Sequence, residues 1–423
     1  MAVTAGVIVA GIAAYGFLVL SGRALGPKLY ADLSVLWVLG FIVGPGAFMP
    51  LEQEISRAIA ARRARGMGAQ PVLRRAIVLG AGMLAIFVVA ATAAGAPITS
   101  KLFDHHLALF IGFLVSLASL YVGYLARGYL SGNGRFGAYG VLVGAEGVFR
   151  LLPVLFFAGV GWATVGPYGL AFAIAPLISA PLVLSRQRRL LTPGPQAPWG
   201  ELTAALGYLV AASLLAQLLL NLAVLTIKVL SSPAQQPLAG RFLAGLVIAR
   251  VPVVLFQAVL AALLPKLASL AAKGEFKEFA RTTWGLLATV VVLGVVAVAT
   301  AVVAGTFALT VLFGKQYHLQ RVDFAYLSGA SIVYIVALTL GQALVALRAY
   351  AALVVGWVAG VLGFLVAVSL VHTLLLRVEL GFLAGSAASA VVLGVLLLRR
   401  LASREPSPPG RFAPEQVSAP GAA

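Results

Sequence analysis

Apolar residues along this chain fall into blocks of roughly 20, separated by short breaks rich in glycine, proline or charge, with little of the alternating or striped pattern of soluble strands and helices. A helix of about 20 residues crosses the ~30 Å hydrocarbon layer and satisfies its own backbone amides there. The blocks predict spans near 3–22, 32–51, 76–97, 106–126, 139–159, 165–184, 202–224, 241–263, 283–304, 323–346, 351–373 and 380–398. The fold class is therefore an all-α polytopic membrane protein of about 12 transmembrane helices. The first block has neither a basic stretch before it nor a small-residue cleavage site after it, so it is read as a helix rather than a signal peptide. The longest connection on the less basic side is expected at about 305–322.

Composition agrees and removes several chemistries. Of 423 residues 61% are hydrophobic and 10% charged, more apolar surface than a soluble domain of this length can bury. There is no cysteine, hence no disulfide, thiolate site or cysteine nucleophile. His105, His106, His318 and His372 show no metal-ligand spacing, and His105-His106 reads as an interfacial loop pair. No GxxxxGK[ST] segment offers a nucleotide cradle, and Ser131-Gly132-Asn133-Gly134-Arg135 reads as a tight turn between helices.

The net charge of +18 would suggest nucleic acid in a soluble protein, but the placement of the cations points elsewhere. Of the 30 Lys and Arg residues, 20 fall in one alternate set of loops and the tail, 8 in the other set, and Arg150 and Arg250 lie inside spans. By the positive-inside rule both termini and the basic loops are cytoplasmic, facing anionic headgroups, and no nucleic acid is expected as a partner. The stretch 185–200 carries Arg186, Arg188 and Arg189 beside Pro193, Pro195 and Pro198. It reads as a cytoplasmic linker between an N-terminal six-helix lobe, 1–184, and a C-terminal six-helix lobe, 201–398, with a disordered cytoplasmic tail over 399–423. Each lobe has a similar second helix, Gly44 to Pro50 in the first and Val251 to Pro265 in the second.

Charges inside a bilayer are costly and are functional candidates by default. Glu146 and Arg150 lie four apart on one helical face, suited either to a structural ion pair or to a hydrated cavity in which the acid tunes the base. Arg250 stands before Pro252 with no acid at helical spacing, so it needs water, a carboxylate from another helix or an anionic ligand. Its planar fork suits phosphate. Glu52, Glu54 and Arg57 mark the basic end of the second span, as a solvated helix end or a headgroup portal. Gln217 and Asn221 form a polar stripe, and Gln257 and Gln342 add single amides, suited to interhelical bonding or to sugar recognition.

The run Arg23-Ala24-Leu25-Gly26-Pro27-Lys28-Leu29-Tyr30 resembles the short turn after the first helix of bacterial polysaccharide-biosynthesis flippases, members of the multidrug/oligosaccharidyl-lipid/polysaccharide exporter superfamily. Gly46-Ala47-Phe48-Met49-Pro50 with Glu52, and Pro252 through Phe256 followed by Leu264-Pro265, look like the same pattern. The resemblance implies two six-helix lobes in a V around a cationic cavity, working by alternating access. It also implies that Arg23, Glu52, Arg57 and Arg250 sit at portal and cavity positions. The first helix departs from the superfamily's drug exporters in having no acidic residue. With Arg150, Glu146 and Arg250 in the cavity, the expected cargo is an undecaprenyl-pyrophosphate-linked glycan crossing the cytoplasmic membrane for cell-surface polysaccharide. A glycan polymerase and glycosyltransferases of the same pathway would be its partners. No enzymatic activity and no cofactor are expected. The alternatives are an ion-coupled multidrug exporter of the superfamily and a membrane glycosyltransferase or glycan polymerase, which would need paired acids outside the membrane.

Overall fold

The computed structural model describes residues 2–187, 192–203 and 205–403, without the side chains of 203, 257, 258 and 260–262. Arg188 and Arg189 of the linker, the Gln257 side chain and the tail from Arg404, Arg411 included, lie outside the described residues. Those described form helices joined by short turns, with no strand. The helices are α1 (Ala2–Val43), α2 (Met49–Ala64), α3 (Gln70–Ala93), α4 (Leu107–Gly132), α5 (Phe136–Gly159) and α6 (Val165–Ser185). After the linker come α7 (Leu206–Leu230), α8 (Gln236–Ala249), α9 (Val251–Lys273), α10 (Phe276–Phe313), α11 (Arg321–Ala346), α12 (Tyr350–Leu370) and α13 (Leu374–Ala402).

Ten helical runs among the described residues are long and apolar enough to cross a membrane. The first, Ala2–Ala64, crosses twice. Gly26 breaks α1 with φ 70° and ψ 169°, a backbone open to glycine but strained for residues with a Cβ, and Pro27 supplies no amide hydrogen to the helix behind it. Adding α8 and α9, which together cross once more, gives twelve crossings.

Both second crossings are interrupted near mid-length. In the first, Gly44–Phe48 is a π-helical turn around Pro45. In the second, Arg250 at φ −94° and ψ 0° separates α8 from α9, just ahead of Pro252. Proline cannot donate and crowds the preceding turn, so the helix loosens locally and restarts.

Two expected boundaries differ. The connection expected over 305–322 is short: the largely apolar run Thr306 to Phe313 continues α10, leaving only 314–320 as loop. Residues 399–402, expected in the tail, close α13, whose carbonyl end Arg399 and Arg400 complement.

Helices before the linker pack chiefly on one another, α1 on α5, α4 on α6 and α2 on α4. Those after it do likewise, α12 on α13, α11 on α13 and α10 on α11. The α1–α5 seam is unusually close, since a Cβ on Gly140 would stand 2.3 Å from the Ala2 carbonyl oxygen. Packing across the two sets comes mainly from α1 and α2 meeting α7, and from α1 meeting α8. Beyond Arg250 the chain turns away: α9 packs on α10 and α11 and leaves Val251, Val254 and Leu255 exposed.

Candidate functional site

Three groups of charged side chains lie between these helices, one in the N-terminal set, one at the α8–α9 break and one at the end opposite the basic loops, called here the far end. All six candidate residues from the sequence fall into these groups or at the basic end.

In the N-terminal set, Glu146 takes its ion pair from Arg127 of α4, not from Arg150 one turn away. Side chains on adjacent helices can meet head-on, whereas an i, i+4 pair must bend along its own axis. Arg127 also lies over the Tyr124 ring at 4.7 Å. Glu52 accepts a 3.0 Å hydrogen bond from the Tyr139 hydroxyl, a neutral donor. Arg150 turns to rings instead, 5.0 Å from the centre of Phe172 and 5.4 Å from Trp37, which Phe17 of α1 stacks on. Ring faces stabilise a guanidinium without neutralising it.

Arg250, at the break in the second half, gains the partner its own helix lacks. One terminal nitrogen donates to Asn221 Oδ1 at 3.1 Å and the other to the Leu220 carbonyl, so Asn221 of the polar stripe holds this cation. Asn221 is held in turn by donating to the Gln217 carbonyl at 2.9 Å. Tyr15 of α1 hydrogen-bonds the Val247 carbonyl beside it. Every partner of Arg250 is neutral. The Nε atoms of both Arg150 and Arg250 are buried without an acceptor, while each side chain keeps partial exposure. The buried Nε of Arg127 also lacks an acceptor, so what sets Arg150 and Arg250 apart is that neither has a carboxylate in an ion pair.

Arg23 lies at the far end, where it donates to the carbonyls of Leu312, at 2.6 Å, and Val311. Tyr317 donates to the Gly22 carbonyl at 2.7 Å, and burial raises its phenol above the ordinary value, keeping the donor proton in place. Nearby, fully buried Asp32 pairs with Lys228 at 2.5 Å. Arg57 lies at the basic end, bonded to Glu54 at 2.6 Å and to the Glu201 carbonyl.

Sequence reading missed two of these arrangements. Asp32 stands at the start of the expected span 32–51 and Lys228 just past the span 202–224, yet they meet inside the protein. Arg62, one of six cations in a basic loop, is 2% exposed; it binds the linker through the carbonyls of Pro195 and Gln196, the Glu201 carboxylate just after it at 2.9 Å, and the Gly68 carbonyl of its own turn. The only signal available for it was an apolar neighbourhood, Ala58 to Ala61.

No family model matches the chain. Proteins of Mycobacterium bovis and Mycobacterium tuberculosis, both described only as uncharacterized, are 26% identical over 370 residues, covering 84% of this chain and 81% of each relative. An inward-facing multidrug resistance MATE family transporter of the MOP superfamily superposes with a TM-score of 0.73 at 14% identity, over 92% of this chain and 94% of its own. An outward-facing form of such a transporter gives 0.67 at 14% identity, over 95% of each chain. A MOP superfamily transporter of Pyrococcus furiosus, described as having a binding pocket of reverse polarity that suggests a different function, gives 0.69 at 14% identity, over 96% of each. In its fold this chain is like the MATE transporters of the MOP superfamily.

Proposed function

We propose that the chain is a flippase that carries an undecaprenyl-pyrophosphate-linked glycan across the cytoplasmic membrane by alternating access, with both termini and the basic end inside. The observation that carries this reading is the pair Arg150 and Arg250, held on rings and neutral acceptors and each left with an unmade Nε bond. A diphosphate offers two anionic groups whose oxygens match the guanidinium fork, and low local polarity strengthens each contact. Glu146 makes its ion pair with Arg127 and none with Arg150. A glycan polymerase and the glycosyltransferases that load the carrier are the partners such a cargo requires.

The test is replacement of Arg150 and of Arg250 by Ala in a strain that depends on this chain for surface glycan. Export falls at least tenfold in each while the protein inserts normally. Unchanged export in both overturns the assignment.

Glu52 favours a second reading, an ion-coupled drug exporter, because a buried carboxylate whose one side-chain hydrogen bond comes from a neutral hydroxyl can exchange protons or hold a cation. Susceptibility profiles of a deletion strain separate the two: drug hypersensitivity with intact glycan supports the exporter.

A further inference from the structure

The far end holds charge that the cargo reading does not use. Asp32 lies on the second arm of α1, 0% exposed, and Lys228 near the end of α7, 2% exposed, so their 2.5 Å pair joins the two helix sets. Lys228 also donates to Gln236 at the start of α8. Asp32 Oδ1 takes the ammonium, while Asp32 Oδ2 is buried with no hydrogen-bond partner. Facing that oxygen at 3.6 Å is Nε2 of His106, 37% exposed on the loop before α4. The other charged groups around it are Asp104 on the same loop and Lys28, which pair at 3.8 Å.

This arrangement has a water-facing base, an orphan carboxylate oxygen behind it, and a buried cation behind that. Imidazole is the side chain that changes charge between about pH 5 and 8. An ammonium deprived of its carboxylate in a low-dielectric interior is strongly disfavoured, and hydration relieves it. Lys228 reaches water only if the far end parts.

We propose that Asp32 is a proton site, loaded through His106, whose protonation releases Lys228 and unlocks the far end. The step moves one proton: the His106 Nε2–H bond breaks, an O–H bond forms at Asp32 Oδ2, and the imidazole returns to its neutral form. No electron moves and no co-reactant is needed. The ligand of this site is thus the proton, and a proton gradient directed inward from the far side would favour the far-open state. The proposal rests on the reading of the chain as an alternating-access transporter, but not on the identity of its cargo.

The chain has no cysteine of its own, so paired reporters can be placed without background. Spin labels at Lys101→Cys, on the turn that packs against α7, and at Ala234→Cys, just past the end of α7, read the far-end separation. Both positions are exposed and bind neither Asp32 nor Lys228. In the full-length protein without cargo, lowering the pH from about 8 to about 5 raises the long-distance population several-fold. Asp32→Asn shows that population at both pH values. His106→Gln, a change at an exposed loop that leaves the fold intact, keeps the short distance at both. A distance distribution indifferent to pH, a full pH response in His106→Gln, or an Asp32→Asn protein closed throughout overturns the proposal. None of these outcomes bears on the Arg150 and Arg250 export test, so the two readings fail separately.

Discussion

Arg127 and Arg250 are both half-buried between helices, yet only the first has a carboxylate partner. Arg127 has a carboxylate, Glu146, and a ring, Tyr124; its charge is cancelled where it stands. Arg250 has an amide, a carbonyl and the Phe382 ring at 5.7 Å, which orient it without cancelling anything. The difference separates a cation paired across two helices from one whose charge stays uncancelled, the property that the proposed binding role requires. Orientation by neutral groups is what a binding cation needs, because a carboxylate would compete with the anion to be bound.

The largest expected effect tests the paired side. Glu146→Ala strands Arg127 without its counter-charge, and melting in detergent should show a loss of ~3–5 kcal/mol. Replacing both, as Arg127→Met with Glu146→Leu, restores most of it. Arg250→Met sharpens the contrast, since it removes no ion pair: stability stays within about 1–2 kcal/mol while export falls at least tenfold. Arg250→Lys keeps the charge but not the fork and lies between. If Arg250→Met melts as early as Glu146→Ala, the comparison fails. A smaller effect comes from Asn221→Ala, which takes away one acceptor of Arg250 and costs ~1–2 kcal/mol, with weakened export on the same assay. Tyr139→Phe is the mildest, about 1 kcal/mol in the melt, because the Glu52 carboxylate loses a single neutral donor.

The crossings were legible because burial in lipid demands long apolar runs, and the bends at Gly26-Pro27 and ahead of Pro252 because those residues cannot continue a helix. Arg250 was legible as an oddity, a cation with no acid at helical spacing. Its acceptor Asn221 was visible in the Gln217–Asn221 stripe, but nothing in the chain says that Asn221 faces a residue 29 positions later. Spacing arguments see three or four residues along one helix. Arg127 with Glu146, and Asp32 with Lys228, 196 positions apart, are set by how helices meet in three dimensions. The Glu146–Arg150 ion pair, one of two readings of that spacing, does not form for that reason: periodicity placed both on one face and could not see a competitor on α4.

The stretch 185–200 joins two halves, and Arg62 also ties it down. Clasped at Pro195, Gln196 and Glu201, the chain enters α7 from a point fixed to the end of α2. Farther along, Gly46 lies so close to Leu214 of α7 that a Cβ there would stand 3.1 Å from its Cα. The side where α2 runs against α7 is therefore the spine of a book, bound along its length. The side where α9 departs from α1 is the fore-edge. Pages bound there part more readily at the other edge, and on the proposed reading the tail of a lipid-linked cargo would stay in the lipid while its head passes between the leaves.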